Sequence, residues 1–232
     1  MNSVRLFFRT RLLAPLIFSG VLLLLLAGGS LRAAWDFTTI QQRADQLYGP
    51  ATKEGELRIN AWQQLLLNQR SQTELAQLNA VNRFFNQQLH YREDIEIWNS
   101  TDYWATPVES LRKGEADCED YALAKYFTLR HLGVSGEKLR ITYVKALRLN
   151  RAHMVLTWYS SPEAIPIVLD SLTDNILPAT QRSDLLPVYS FNDSGLWLPG
   201  SQNNKRVGDS KRLSRWQDVL KKMREEGFPI DE

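Results

Sequence analysis

The sequence predicts an α+β domain, with N-terminal helices and a later helix packed on an antiparallel β-sheet. Two observations predict it. Apolar residues recur at helical spacing in segments from Trp35 to Leu89 and again from Cys118 to Leu132, and runs rich in β-branched and aromatic residues take over from Leu139. Gly133, a suitable helix terminator, sits between the two halves.

The chain has 232 residues, 44% of them hydrophobic and 23% charged. That balance suits one globular domain and argues against disorder. The net charge of +2 is misleading, because Arg5, Arg9, Arg11 and Arg32 all precede the first acidic residue, Asp36. Without those four the 28 basic residues fall to 24 against 26 acidic, a net of −2. Nothing there resembles the concentrated basic face of a nucleic-acid binder.

Residues 1–33 read as a targeting segment: three arginines, an apolar run from Leu12 to Ala27, then Gly28-Gly29-Ser30 and Ala33-Ala34. A cleaved signal peptide and a retained membrane anchor both fit. Both place a single domain, 34–232, outside the cytoplasm, in the periplasm and either free or tethered to the inner membrane.

The first predicted helix spans Trp35–Leu47 and is closed by Gly49-Pro50. The second spans Glu56–Gln69. The third is capped by Thr73 and carries Leu78, Val81, Phe85 and Leu89 on one face. Residues 91–116 show no periodicity but hold Trp98, Tyr103 and Trp104, the composition of an ordered loop that either borders a cleft or packs on itself. A fourth helix runs from Cys118 to Leu132. Strands follow at Leu139–Leu147, His153–Tyr159 and Ile165–Leu169, with short ones around Val188 and Trp197. Residues 201–210 are polar, and a last helix at 212–226 turns Leu213, Trp216, Leu220 and Met223 toward the domain.

Cys118 is the only cysteine, so no internal disulfide can form. A lone thiol is often just a small core residue, but this one starts a helix. Unpaired N–H groups and the positive end of the macrodipole favour a thiolate there, and can stabilise an oxyanion after attack on a carbonyl. The acidic neighbours Glu115, Asp117, Glu119 and Asp120 oppose that effect. A bound cation resolves the conflict: Asp117, Glu119 and Asp120 are hard oxygen donors, which suit Ca²⁺.

Three histidines are candidates for the base. His131 lies thirteen residues along the same helix, roughly 20 Å away at ~1.5 Å per residue. His90 ends the third helix. His153 heads a strand and is the best candidate. A hairpin centred between Ser161 and Pro162 places Asp170 directly opposite it, within reach of the imidazole. Cys118, His153 and Asp170 then form a nucleophile–base–orienter triad.

These residues, in this order, resemble the papain-like transglutaminase superfamily, and more narrowly the bacterial transglutaminase-like cysteine proteinases of the LapG type. The similar stretches are Asn82–Asn86, Asp102–Pro107, Asp117–Ala122, Lys125-Tyr126, Leu132-Gly133, His153–Leu156 and Leu169-Asp170. The resemblance implies a calcium-dependent periplasmic endopeptidase that cuts a large surface adhesin near its N-terminus at a di-alanine site, releasing biofilm. It further implies sequestration by an inner-membrane receptor for cyclic di-GMP. It carries the catalytic roles to Cys118, His153 and Asp170, and the calcium ligands to Asp117 and Glu119, with Asp120 as a third. Two other readings share these residues: a transglutaminase-like acyltransferase, and a non-enzymatic calcium-binding adaptor with an inert thiol.

Overall fold

A computed structural model of the chain describes residues 34–199 and 206–230. The predicted targeting segment and residues 200–205 lie outside the described residues. Among the described residues, no helix is long and apolar enough to cross a membrane.

Three helices open the domain: α1 (Phe37–Tyr48), α2 (Lys53–Gln69) and α3 (Glu74–Gln88). Each begins on a side chain suited to the task. Asp36 accepts from the N–H groups of Thr38 and Thr39, Thr52 from Gly55, and Thr73 from Ala76. Their apolar faces bury Ile40, Ile59, Trp62, Leu78, Val81 and Phe85. Trp62 Nε1 donates to Thr128 Oγ1 at 2.9 Å, which satisfies its one polar atom inside the core.

Segment 91–116 is more ordered than its lack of periodicity suggests. It holds β1 (His90–Tyr91), α4 (Asp94–Trp98), α5 (Pro107–Lys113) and β2 (Glu115–Ala116). The two helices are too short for a period to show. α5 nevertheless carries a readable start, in which Thr106 and Glu109 form a reciprocal capping box with proline in the first turn. Gly114, at φ 76°, ends it and turns the chain into β2, which pairs in parallel with β1.

α6 (Cys118–His131) has 11 of its 14 residues buried, so it runs through the centre of the domain rather than along its surface. It packs on one face of a seven-stranded antiparallel sheet. The sheet comprises β3 (Leu139–Ala146), β4 (Arg151–Trp158), β5 (Ile167–Asp170), β6 (Thr173–Pro178), β7 (Leu185–Phe191), β8 (Leu196–Trp197) and β9 (Arg206–Gly208), in the order β6-β5-β4-β3-β7-β8-β9. Leu139, Ile141, Met154, Leu156, Leu169 and Phe191 form the shared core with α6. The opposite face carries a smaller cluster of Val144, Val155 and Val168. α7 (Ser214–Glu225) buries Trp216, Val219 and Met223, with Trp216 stacked on Phe127 at 5.5 Å.

The β4–β5 register departs from the symmetric hairpin. Val168 pairs with Thr157 and Leu169 with Leu156, so the turn is centred one residue later than its Ser-Ser-Pro-Glu sequence suggests. The reason is the turn itself: the Ala164 N–H donates to the Ser161 carbonyl at 3.0 Å, which closes the chain over Pro162-Glu163 and centres the hairpin between them. Each pairing therefore shifts by two residues. An even shift keeps every side chain on its face, and Asp170 becomes the diagonal neighbour of His153 rather than its direct partner.

Candidate active site

The parallel pairing of Tyr91 with Ala116 delivers the chain to Asp117, which caps α6 through the Asp120 N–H at 3.5 Å. Cys118 is therefore the first residue of the central helix, 9% exposed, with a backbone hydrogen bond from Met154 at its sulfur. That contact brings the thiol beside the strand that carries His153. Among the described residues no hydrogen bond joins Cys118 to His153. The thiol instead donates to Glu119 Oε2 at 3.0 Å. Burial, then the charges of Glu119 and Asp117, push the Cys118 thiol well above its ordinary value.

His153 is 1% exposed, and its Nε2 lies 2.7 Å from Asp170 Oδ1. Asp170 Oδ1 also accepts from the Leu172 N–H at 3.1 Å, and Oδ2 accepts from Arg182 Nη2 at 2.7 Å. Burial works against the Asp170 carboxylate, but hydrogen bonds from His153 and Arg182 outweigh it and hold the group well below the usual carboxylate range. An ionised carboxylate only accepts, so Nε2 carries the hydrogen of that pair. Nδ1 has no hydrogen-bond partner among the described residues, and its lone pair can take a proton.

The turn that presents Asp170 is clamped from α3 and α6. Asn86 Nδ2 donates to the Asp170 and Thr173 carbonyls, both at 2.9 Å, and Asn82 Nδ2 to the Thr173 and Asp174 carbonyls at 3.1 Å. Asn86 Oδ1 accepts in turn from Lys125 Nζ at 2.8 Å. Burial drives fully enclosed Lys125 down to about 7, despite the opposing charges of Asp170 and Asp174. His131 stacks on Trp35 at 4.0 Å, and His90 lies exposed in β1.

The carboxylates regroup relative to the sequence expectation. Asp94, Asp117 and Glu119 bring one oxygen each within 4.8 Å of one another. Asp94 had no signal in the sequence, since it lies far along the chain on a helix too short to announce itself. Burial and the charges of Glu119 and Asp102 raise it to about 6, although its hydrogen bond from the Tyr103 N–H works the other way. Burial, followed by repulsion from Asp120 and Glu119, raises Asp117 as well. Asp120 stands outside this group. Its Oδ1 accepts from the Ala105 N–H at 2.6 Å, tying the aromatic segment to the start of α6.

Three crowded carboxylates, with Asp94 Oδ1 buried and lacking a hydrogen-bond partner, fit a hard divalent cation. The aromatic segment over this cluster is held from the far side too. Lys222 of α7 donates to the Trp104 carbonyl and to Glu109 Oε2, both at 2.7 Å, and sits 3.9 Å from the Tyr103 ring centre.

The bacterial transglutaminase-like cysteine proteinase family, BTLCP, matches residues 53–202. Among solved structures the chain is similar to Legionella pneumophila LapG, with 45% identity over 80% of this chain and 96% of that one, at a TM-score of 0.68. The EGTA-treated form of that protein gives 45% identity and a TM-score of 0.70 over the same shares. The calcium-bound form gives 44% and 0.68, over 80% and 98%. No curated protein matches the chain by sequence. The fold is transglutaminase-like, and the chain belongs to the bacterial transglutaminase-like cysteine proteinases.

Proposed function

We propose that this protein is a calcium-dependent endopeptidase in which Cys118 is the nucleophile, His153 the base and Asp170 the residue that orients the base. The observation that carries the reading is the buried His153–Asp170 pair at 2.7 Å, whose free Nδ1 lies on the strand that touches the Cys118 sulfur.

In the reaction, Cys118 passes its proton to His153 Nδ1 and attacks the scissile carbonyl. The Cys118 N–H, at the start of α6, faces the developing oxyanion. The tetrahedral adduct collapses to a thioester as imidazolium protonates the departing amine. Water, deprotonated by His153, then hydrolyses the thioester and restores the thiol. Asp170 stays ionised throughout and stabilises the imidazolium.

Asp94, Asp117 and Glu119 are the residues that would hold calcium, a role that adds Asp94 to the sequence-derived set and sets Asp120 apart. Bound calcium supplies positive charge that offsets the carboxylates now holding the thiol proton. The related LapG has been seen both calcium-bound and EGTA-treated, which supports the same dependence here.

The substrate we infer is a large exported adhesin, cut near its N-terminus at a di-alanine site in the periplasm. A cyclic di-GMP receptor of the inner membrane would hold the enzyme back. The test incubates the purified protein with adhesin N-terminal fragments and calcium, and maps cuts by mass spectrometry. Cleavage that vanishes in Cys118→Ala is expected. Undiminished cleavage by that variant overturns the mechanism, and incorporation of a primary-amine probe in place of hydrolysis makes the enzyme an acyltransferase.

A further inference from the structure

We propose that Arg182 is a positioning residue for the catalytic pair: its guanidinium pins the far oxygen of Asp170, so that the carboxylate stays ionised and aimed at His153. The inference rests on the cysteine peptidase reading above.

Arg182 follows a single 3-10 turn, Ala179–Gln181, and is 7% exposed. Nη2 reaches Asp170 Oδ2 at 2.7 Å and Asp184 Oδ2 at 2.9 Å, and Nε reaches Asp184 Oδ1 at 3.0 Å. Asp184 thus grips two nitrogens of the guanidinium and fixes its plane, while one N–H is directed at Asp170. A planar fork does this and a lysine ammonium does not.

Asp170 is fully buried and has two oxygens to satisfy. With Oδ2 held by Arg182, Oδ1 is left for His153 and the Leu172 N–H, and rotation about the carboxylate bond is blocked. Without Arg182, the buried carboxylate would keep only the imidazolium and the Leu172 N–H, its Oδ2 would lose its partner, and it could take the imidazolium proton, which would remove the support the base needs.

The placement also provides a route for a test. Arg182 lines an open groove of about 540 Å³ on the sheet face away from α6, together with Val155, Thr157, Val168 and Leu185. A small guanidinium can therefore reach the space left by a truncated side chain.

The experiment uses the full chain with millimolar calcium and follows alkylation of Cys118 by iodoacetamide, which needs no knowledge of the substrate. Arg182→Ala is expected to slow alkylation about tenfold, and tens of millimolar methylguanidinium to restore most of the rate while methylammonium does not. Where a cleavable peptide is in hand, kcat falls by a similar factor and KM stays within about twofold. His153→Ala separates the two levels of the argument. If that variant alkylates like wild type, the catalytic pair itself is wrong. If it is slow while folded Arg182→Ala is not, or if methylguanidinium restores nothing, the positioning role is overturned. Should Arg182→Ala fail to fold, Arg182→Lys replaces it. An intermediate loss of about threefold is expected, and a wild-type rate overturns the proposal.

Discussion

The thiol of Cys118 donates its hydrogen bond to Glu119 Oε2, 3.0 Å away, and not to His153. A thiol so bound keeps its proton, because burial and the negative charge beside it oppose the thiolate. In the proposed mechanism, calcium dependence is a matter of electrostatics at the sulfur. Chelation with EGTA should slow alkylation of Cys118 at neutral pH, and excess calcium should restore it. Glu119→Gln should uncouple the two, with alkylation of the metal-free protein rising about tenfold because one unfavourable charge is gone. Equal rates with and without calcium in the wild type would remove the ion from the mechanism.

Asp170→Asn keeps the size of the orienting side chain and removes its charge. Activity should fall about a hundredfold or more, since the amide can neither stabilise imidazolium nor enforce the tautomer that leaves Nδ1 free. Stability should change with a defined sign. The folded-state Asp170 carboxyl lies below its ordinary value, so its contribution is present above about pH 4 and is lost as pH falls through the folded value. Denaturant melts of wild type and Asp170→Asn should therefore differ at pH 7 and converge in acid. A gap that widens in acid would contradict the assignment.

The fate of Asp170 shows what was legible in the chain. Symmetric pairing in the hairpin misjudged its centre, because the turn closes over Pro162-Glu163 and not over Ser161-Pro162, and periodicity alone does not report where a turn closes. The shift was even, so His153 and Asp170 kept a common face of the sheet and their pairing survived. Helix starts were readable where a Thr or Asp side chain does the capping, at Asp117 and Thr73. Asp94 and Arg182 were not readable. Arg182 follows a single turn and Asp94 opens a five-residue helix, and only tertiary packing brings each to its partners. Local pattern carries no trace of that.

Lys125 predicts a pH dependence of the same sense as Asp170 but in a higher window. Burial lowers it to about 7 from 10.5, so below pH 7 the fold encloses a charge that the unfolded chain would keep in water. Stability should rise with pH from about 7 to about 10.5, as the unfolded chain holds the proton longer than the folded one. Lys125→Met should be more stable than wild type at pH 6, by on the order of a few kcal/mol, and the advantage should shrink toward pH 10. The lysine is nonetheless retained beside Asn86, whose amide holds the Asp170 turn. The same variant should accordingly lose activity while gaining stability. A variant that is less stable than wild type at every pH would show that the Lys125–Asn86 bond outweighs the burial of the charge.

Asp94 and Asp120 make the sharpest contrast, because both are buried acids beside the start of α6 and only one joins the ligand cluster. Asp94→Asn should weaken calcium binding by at least about tenfold in calorimetry, having removed one of three charged donors. Asp120→Asn should leave the affinity within about threefold, because the asparagine carbonyl can still accept from the Ala105 N–H. Asp120→Ala should behave differently again. With no acceptor for Ala105, the aromatic segment is left with an unsatisfied buried N–H, at a cost of about 1–3 kcal/mol. Amide exchange around Tyr103–Thr106 should speed up accordingly, before calcium affinity changes. If Asp120→Asn abolishes calcium binding while Asp94→Asn spares it, the ion is held by the run of acids at the start of α6 and not by the cluster that spans α4 and α6.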